Sequence, residues 1–239
     1  MSYWDDPKPV QRARALVIDE LARESAALLD EGGITALTIR ALATRLGVAP
    51  PSLYSRIQSV DDLLDLSLDQ VLDRDEQIWD ARIEDPCDLL LALYDHLGRH
   101  PWGPHVIGLR PPRGPAYVRF SERLLGLLVD DGDGDPLSAA YAMSNFVIGS
   151  VATAASAAEE PVARVDPMST PVYARLHSQH DIDPRGIVHA GLCALRRIST
   201  STRGARLAAA DDAHQAIDGE GGSRAPGPDE RSVRRPALR

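Results

Sequence analysis

Leu37-Thr-Ile-Arg-Ala-Leu-Ala-Thr-Arg-Leu-Gly-Val-Ala-Pro-Pro-Ser-Leu-Tyr-Ser-Arg-Ile-Gln-Ser-Val-Asp-Asp-Leu-Leu64 holds two short helical segments on either side of a glycine. Thr38 is a good N-cap for the first, because its hydroxyl can accept a backbone N–H that lacks a helical partner. Gly47 closes that segment after Leu46, as residues tolerant of positive φ do. Pro50 and Pro51 fit only in a first turn, where the missing N–H costs nothing, so a second helix opens there and runs to about Ile57. Ala43 is small enough for the two helices to cross closely. Leu42, Leu46, Val48 and Leu53 are expected to form their shared core. Two short helices at a tight turn make a helix-turn-helix, whose second helix enters the DNA major groove.

On the N-terminal side, apolar residues from Val10 to Glu31 fall close to a 3.6-residue period, and Gly32-Gly33 ends that helix. On the C-terminal side, Ser59 and Asp62 resemble a capping box and predict a long helix to about Ile83. Such a helix would span ~35 Å and would link the motif to a distant pocket. Asp85-Pro86 opens a helix that ends near His100. Pro101 to Pro115 reads as short turns and loops, followed by a helix from Ala116 to Val129. Asp130 to Asp135 is a loop. Pro136–Glu160 and Pro184–Ile198 read as the last long helices. No strand pattern of useful length appears, so the fold expected is all-α. Three parts follow: a DNA-binding head at 8–70 with its motif at 38–57, a helical effector-binding and dimerisation domain at 71–198, and a tail at 199–239. The tail is poor in large apolar residues and is expected to be disordered.

Composition narrows the function. The 239 residues are 44% hydrophobic and 26% charged, as in ordinary globular chains. No run of 18 strictly apolar residues occurs and no secretory leader is expected, which points to a cytoplasmic protein without membrane contact. Two distant cysteines, Cys87 and Cys193, suit a reducing compartment. The net charge of −9 argues against nucleic acid, but Ile34 to Val60 carries Arg40, Arg45 and Arg56 and no acid. Neither a nucleophile elbow, a phosphate loop nor a dinucleotide fingerprint is present, so no enzyme is expected. Asp131 to Asp135 imitates half a calcium loop, but Pro136 and Ala142 stand where the turn glycine and bidentate glutamate would be. His96 and His100 are four residues apart without a third placed ligand, so no metal and no cofactor are expected.

Over residues 10 to 70 the sequence resembles the tetracycline-repressor (TetR) family of bacterial transcription regulators. The resemblance rests on Leu-Thr at 37–38, Leu-Gly-Val at 46–48, Leu-Tyr at 53–54 and Asp-Leu-Leu at 62–64. Arg110-Pro111, the Tyr117 to Leu125 helix and the stretch from Ala140 to Gly149 look like the ligand domain of its tetracycline-repressor branch. It implies a homodimeric repressor that binds double-stranded operator DNA and is released by a small-molecule effector. The alternative is a helical small-molecule-binding or scaffold protein with a degenerate DNA-binding head.

In the resemblance, Pro50, Pro51 and Ser52 face base edges, Tyr54 and Thr38 meet phosphates, and Arg40 reads a guanine through O6 and N7. Arg56 and Ile57 replace the family's common His-Phe pair, and Val60 replaces a lysine. Arg56 would take over the phosphate that the lysine meets in the family. On the ligand side His100 matches a pocket histidine, while Glu76 and Thr153 stand where the branch has a metal-binding histidine and a glutamate. The magnesium site is therefore not carried over. Glu76, Trp79, His100, Trp102, Tyr141, Asn145, Phe146 and Thr153 are the residues expected at the effector. Pro136–Glu160 and Pro184–Ile198 are expected to form the dimer seam.

Overall fold

The computed structural model of the chain describes residues 3–5, 12–159, 166–179 and 182–197. Every regular element among them is helical. The α-helices are α1 (Arg12–Gly32), α2 (Ile39–Arg45), α3 (Pro50–Tyr54), α4 (Val60–Asp73), α5 (Pro86–Arg99), α6 (Gly103–Leu109), α7 (Pro115–Asp130), α8 (Pro136–Glu159) and α9 (Pro171–Gln179). A tenth, α10, covers 184–197. The tail expected at 199–239 lies outside the described residues.

One local code starts three of the long helices. Asp85, Asp135 and Asp183 each precede a proline, and each carboxylate accepts a backbone N–H of the first turn. The donors are Cys87 at 2.7 Å, Ser138 at 3.2 Å and Gly186 at 3.0 Å. Asp is a strong N-cap, and proline at N1 loses no hydrogen bond.

The helices enclose two cores. Leu21, Leu29, Leu42, Leu53, Ile57 and Leu63 are fully buried in the head. Leu89, Leu93, Phe120, Leu128, Met143 and Leu192 are fully buried in the body. Helix α4 belongs to both, giving Leu63, Leu64, Leu66 and Leu68 to the head and Leu72 to the body. It packs along α1 on one side and against α7 on the other. Trp102 and Val106, from the α5–α6 corner and α6, complete the head core rather than the body core.

Several expectations change here. Helix α4 does not run to Ile83; it stops at Asp73 and is about 21 Å long. Asp73, Asp75 and Glu76 bring negative charge to a helix C-terminus, where the macrodipole disfavours it. Asp75 accepts the Gln77 N–H at 3.0 Å and starts a turn, and the Trp79 indole caps the Leu72 carbonyl at 2.9 Å. The Ser59 capping box does not form; its acid bonds one residue before the cap instead. The Ser59 side chain makes no cap bond, whereas Asp62 reaches back to the Gln58 N–H at 2.6 Å. Val48 is 39% exposed and is no part of the shared helix-turn-helix core. Helix α9 has no counterpart among the expected helices; it buries none of its side chains, and its apolar residues Val172, Tyr173 and Leu176 stay exposed.

Helix α8 also corrects the membrane argument. Its stretch Pro136–Ala154 is long and apolar enough to cross a membrane by length and composition, and 22% of it is buried within the chain. A search for strictly apolar runs passes over it because Ser, Thr, Asn and Gly are interspersed among Ala, Val and Ile.

Candidate DNA-reading head and effector clefts

The head is built around a helix C-terminus. At the end of α2, Gly47 sits at φ +65°, and two bonds close the turn: Gly47 N–H to the Thr44 carbonyl at 3.2 Å, and Val48 N–H to the Ala43 carbonyl at 3.0 Å. That pair is the Schellman pattern, which needs a residue at ease with positive φ. At the other end, the Thr38 hydroxyl accepts the Ala41 N–H at 3.0 Å. Ala49 is extended and Pro50 and Pro51 open α3. Leu53 and Ile57 then anchor α3 in the head core, which turns Pro50, Pro51, Ser52 and Tyr54 outward; Tyr54 is 55% exposed. Thr38 and Arg40 are exposed at the start of α2, and Arg56 is half-buried beyond α3. The seven residues expected at DNA thus flank one turn.

Charge on this face is narrower than the sequence suggests. Arg45 forms a two-pronged pair with Glu31 at 2.6 and 2.7 Å, and also reaches Glu24 at 2.9 Å. Both acids come from α1, far from Arg45 in sequence. The Arg45 hydrogen bonds hold the Glu31 carboxyl below its ordinary range. Among the described residues, Arg40 and Arg56 are the other cations beside this turn, and Arg45 ties α2 to α1.

The eight residues expected at an effector do not converge on one place. Glu76 and His100 share a cleft of about 630 Å³ between head and body, walled by α1, the end of α4 and the end of α5. Tyr141 and Asn145 line a different pocket of about 420 Å³ among α6, α7 and α8. Trp79 packs on the body, with the Arg119 guanidinium over its ring at 5.0 Å. Phe146 is half-buried at the edge of the body core. Thr153 is exposed and returns its hydroxyl to the Gly149 carbonyl of its own helix at 3.0 Å. Trp102 is buried in the head core and donates its indole N–H to Asp30 at 2.6 Å.

Sequence reading missed the residues that join head to body. The Asp30 carboxylate, near the end of α1, takes Trp102 and also His100 Nδ1 at 2.8 Å, so one acid holds α1 to the α5–α6 corner. Asp65 on α4 accepts the Tyr3 N–H at 3.0 Å and pairs with Arg110 at 3.2 Å. Asp69, one helical turn on, accepts the Ala116 and Tyr117 N–H groups at 2.8 and 3.3 Å and so fixes the start of α7. Burial pushes the Asp69 carboxyl up, and those two N–H bonds oppose it. Asp65 and Asp69 stand one turn apart along α4, and both are buried. Their distant partners were not legible in the sequence.

His96, on α5, is 1% exposed and bonds through Nδ1 to Asp75 at 2.6 Å, while its buried Nε2 has no partner. Burial lowers its pKa to about 4, against the pull of Asp75. Asp75 is pushed up by burial, but His96 and Arg99 outweigh this and hold it below the ordinary range. Cys87 and Cys193 are free thiols, and burial pushes Cys87 up to about 12, which leaves it unreactive. Among the described residues no group of three or more His, Cys, Asp or Glu stands together as a metal site. The magnesium arrangement of the tetracycline branch does not fit: Glu76 and His100 line the head–body cleft, and Thr153 is turned to its own helix.

A helix-turn-helix with an outward second helix, carried on a helical body by one shared helix, defines a DNA-reading regulator. The comparisons agree and give the family. Residues 21–65 match the profile "Bacterial regulatory proteins, tetR family", and residues 73–179 match "Tetracyclin repressor-like, C-terminal domain". An HTH-type transcriptional regulator of Saccharopolyspora erythraea is 35% identical over 160 residues, covering 63% of this chain and 66% of that protein. The class C tetracycline repressor protein of Escherichia coli is 30% identical over 182 residues, covering 67% of this chain and 78% of that one. The fold is similar to that of the Streptomyces coelicolor TetR-family protein ActR bound to (S)-DNPA, with a TM-score of 0.60 and 22% identity over 82% of this chain and 99% of that one. The chain belongs to the TetR family.

Proposed function

We propose that this chain is a cytoplasmic homodimeric repressor, not an enzyme, that binds double-stranded operator DNA and leaves it when a small molecule enters the body. The observation that carries the reading is α3, held from beneath by Leu53 and Ile57 with Pro50, Pro51, Ser52 and Tyr54 turned outward. Arg40 is the base-reading arginine; Thr38, Tyr54 and Arg56 are the phosphate contacts. The effector site is the pocket among α6, α7 and α8, lined by Tyr141 and Asn145. Its size suits a drug-sized ligand. ActR, solved with small molecules, and the class C tetracycline repressor, a repressor by name, support a repressor that responds to a small molecule. The largely uncovered faces of α8 and α10 form the seam with a second copy, and this accounts for an apolar α8 without a bilayer.

An effector that prefers a dimer with wrongly spaced recognition helices draws the population off DNA. Fluorescence anisotropy of the full chain on its own upstream DNA and on a scrambled duplex tests this. Tighter binding to the upstream duplex, weakened by some members of a small-molecule panel, is expected. Equal binding to both duplexes rejects the repressor and leaves a helical small-molecule-binding protein with a degenerate head.

A further inference from the structure

The pocket among α6, α7 and α8 is uniform in chemistry. Ile107, Pro111, Leu124, Leu125 and Ile148 supply apolar wall, and none of the described residues lining it carries a charge. This is unusual for a chain in which a quarter of residues are charged. The head–body cleft is the contrast, with Arg23, Arg74, Arg99, Asp75 and Glu76 in its wall. A charged ligand entering the uncharged pocket would lose hydration with no counter-ion to replace it, a loss that ordinarily exceeds anything apolar contact returns.

Polar groups come from α7 and α8, with Tyr117 and Tyr141 among them, while Ile107, Pro111 and Pro112 close the remaining wall without one. Ser144 and Asn145 stand together on α8, and Ser121 faces from α7 with its hydroxyl given to the Tyr117 carbonyl at 3.0 Å. The Ser121 oxygen keeps its lone pairs as acceptors, and the Asn145 amide offers both a donor and an acceptor. Such a wall can pair with a hydroxyl or carbonyl but cannot neutralise an ion.

We infer that this pocket selects a neutral, largely apolar ligand bearing a hydroxyl or carbonyl on one edge, and rejects ionised molecules of the same shape. The inference rests on the assignment of this pocket as the effector site.

Three probes share one ring system: 1-naphthol, neutral at pH 7, 1-naphthoate, an anion, and 1-naphthylmethylammonium, a cation. Titration calorimetry of the full chain should show 1-naphthol binding at least tenfold tighter than either ion. Ala140→Trp, which fills the pocket, should abolish that binding. Asn145→Lys, at an exposed position that tolerates change, should reverse the order and favour 1-naphthoate. Equal or tighter binding of 1-naphthoate by the unmodified chain, with Ala140→Trp still blocking it, would overturn the neutral class and leave the pocket standing. No binding of any probe, or binding that Ala140→Trp leaves intact, would overturn the pocket and the inference with it. Circular dichroism of both variants confirms that an absent signal is not a failure to fold.

Discussion

His96 shows how much one residue can hold that its neighbours in sequence do not announce. It reads as one of a pair of histidines four apart. In the fold it is a neutral, buried ring with one nitrogen on Asp75 and the other unpaired. Its folded pKa of about 4 lies below the ordinary value of 6.5, so between those values the unfolded chain binds more protons. Stability is therefore whole above pH 6.5 and falls as pH drops toward 4, by about 3 kcal/mol for a shift of this size. Urea unfolding across that window should show the slope, and His96→Leu should flatten it. A slope that survives the substitution would assign it elsewhere. The arginines of the head separate in the same way. Arg40→Ala should relax base preference at one operator position by ~1–3 kcal/mol, and Tyr54→Phe should weaken binding to all duplexes alike. Arg45 is committed to Glu24 and Glu31, so Arg45→Ala should lower thermal stability and leave base preference unchanged. Anisotropy on a set of single-base operator variants distinguishes the three.

Several helix starts were written plainly in the sequence, and helix ends less so. Thr38, Asp85 and Asp183 cap by bonds within three residues of themselves, so their signal is local. The end of α2 was also readable, because Gly47 alone supplies its positive φ. Gly47→Ala should cost on the order of 1 kcal/mol from the left-handed backbone alone, seen as a lower melting temperature with operator binding intact. The end of α4 was not readable. Its leucines continue the helical period, and what stops the helix is a turn at Asp75 and an indole seven residues beyond the carbonyl it caps. Trp79 is thereby a cap and a packing residue for the body, not a lever at the far end of a long helix. The Arg123 guanidinium holds the same segment by donating to the Ile78, Asp80 and Ile83 carbonyls at 2.5, 2.5 and 3.0 Å. These partners are 40 to 45 residues away, beyond the reach of any local pattern.

At the scale of the whole molecule, the all-helical class and the head were legible because period, caps and turn all agree over residues 37–64. The clefts were not, since a cleft is set by which distant helices meet. Glu76 and His100 meet at the head–body junction, and Tyr141 and Asn145 meet α7 elsewhere. The same scale decides the fate of α8 and α10. Inside the chain, Val147, Val188 and Leu192 bury between them and the body core, and Gly191 lets α10 lie against the Phe146 ring, where a Cβ would collide. Outside, Ile187 on α10 is more than half exposed, and Ala142, Gly149 and Ala152 make an exposed stripe on α8. A second copy of the chain can cover that face as a four-helix seam. Ile187→Asp places a charge in the seam and changes nothing buried within one copy. Sedimentation equilibrium should find the unmodified chain dimeric and this variant monomeric, with equal helical content by circular dichroism. Operator affinity should then fall by about 10²–10⁴-fold, because a monomer loses the second half-site and its effective concentration. A variant that stays dimeric would move the seam elsewhere. An unmodified chain that is monomeric and floats with lipid vesicles would instead assign the apolar face of α8 to a membrane.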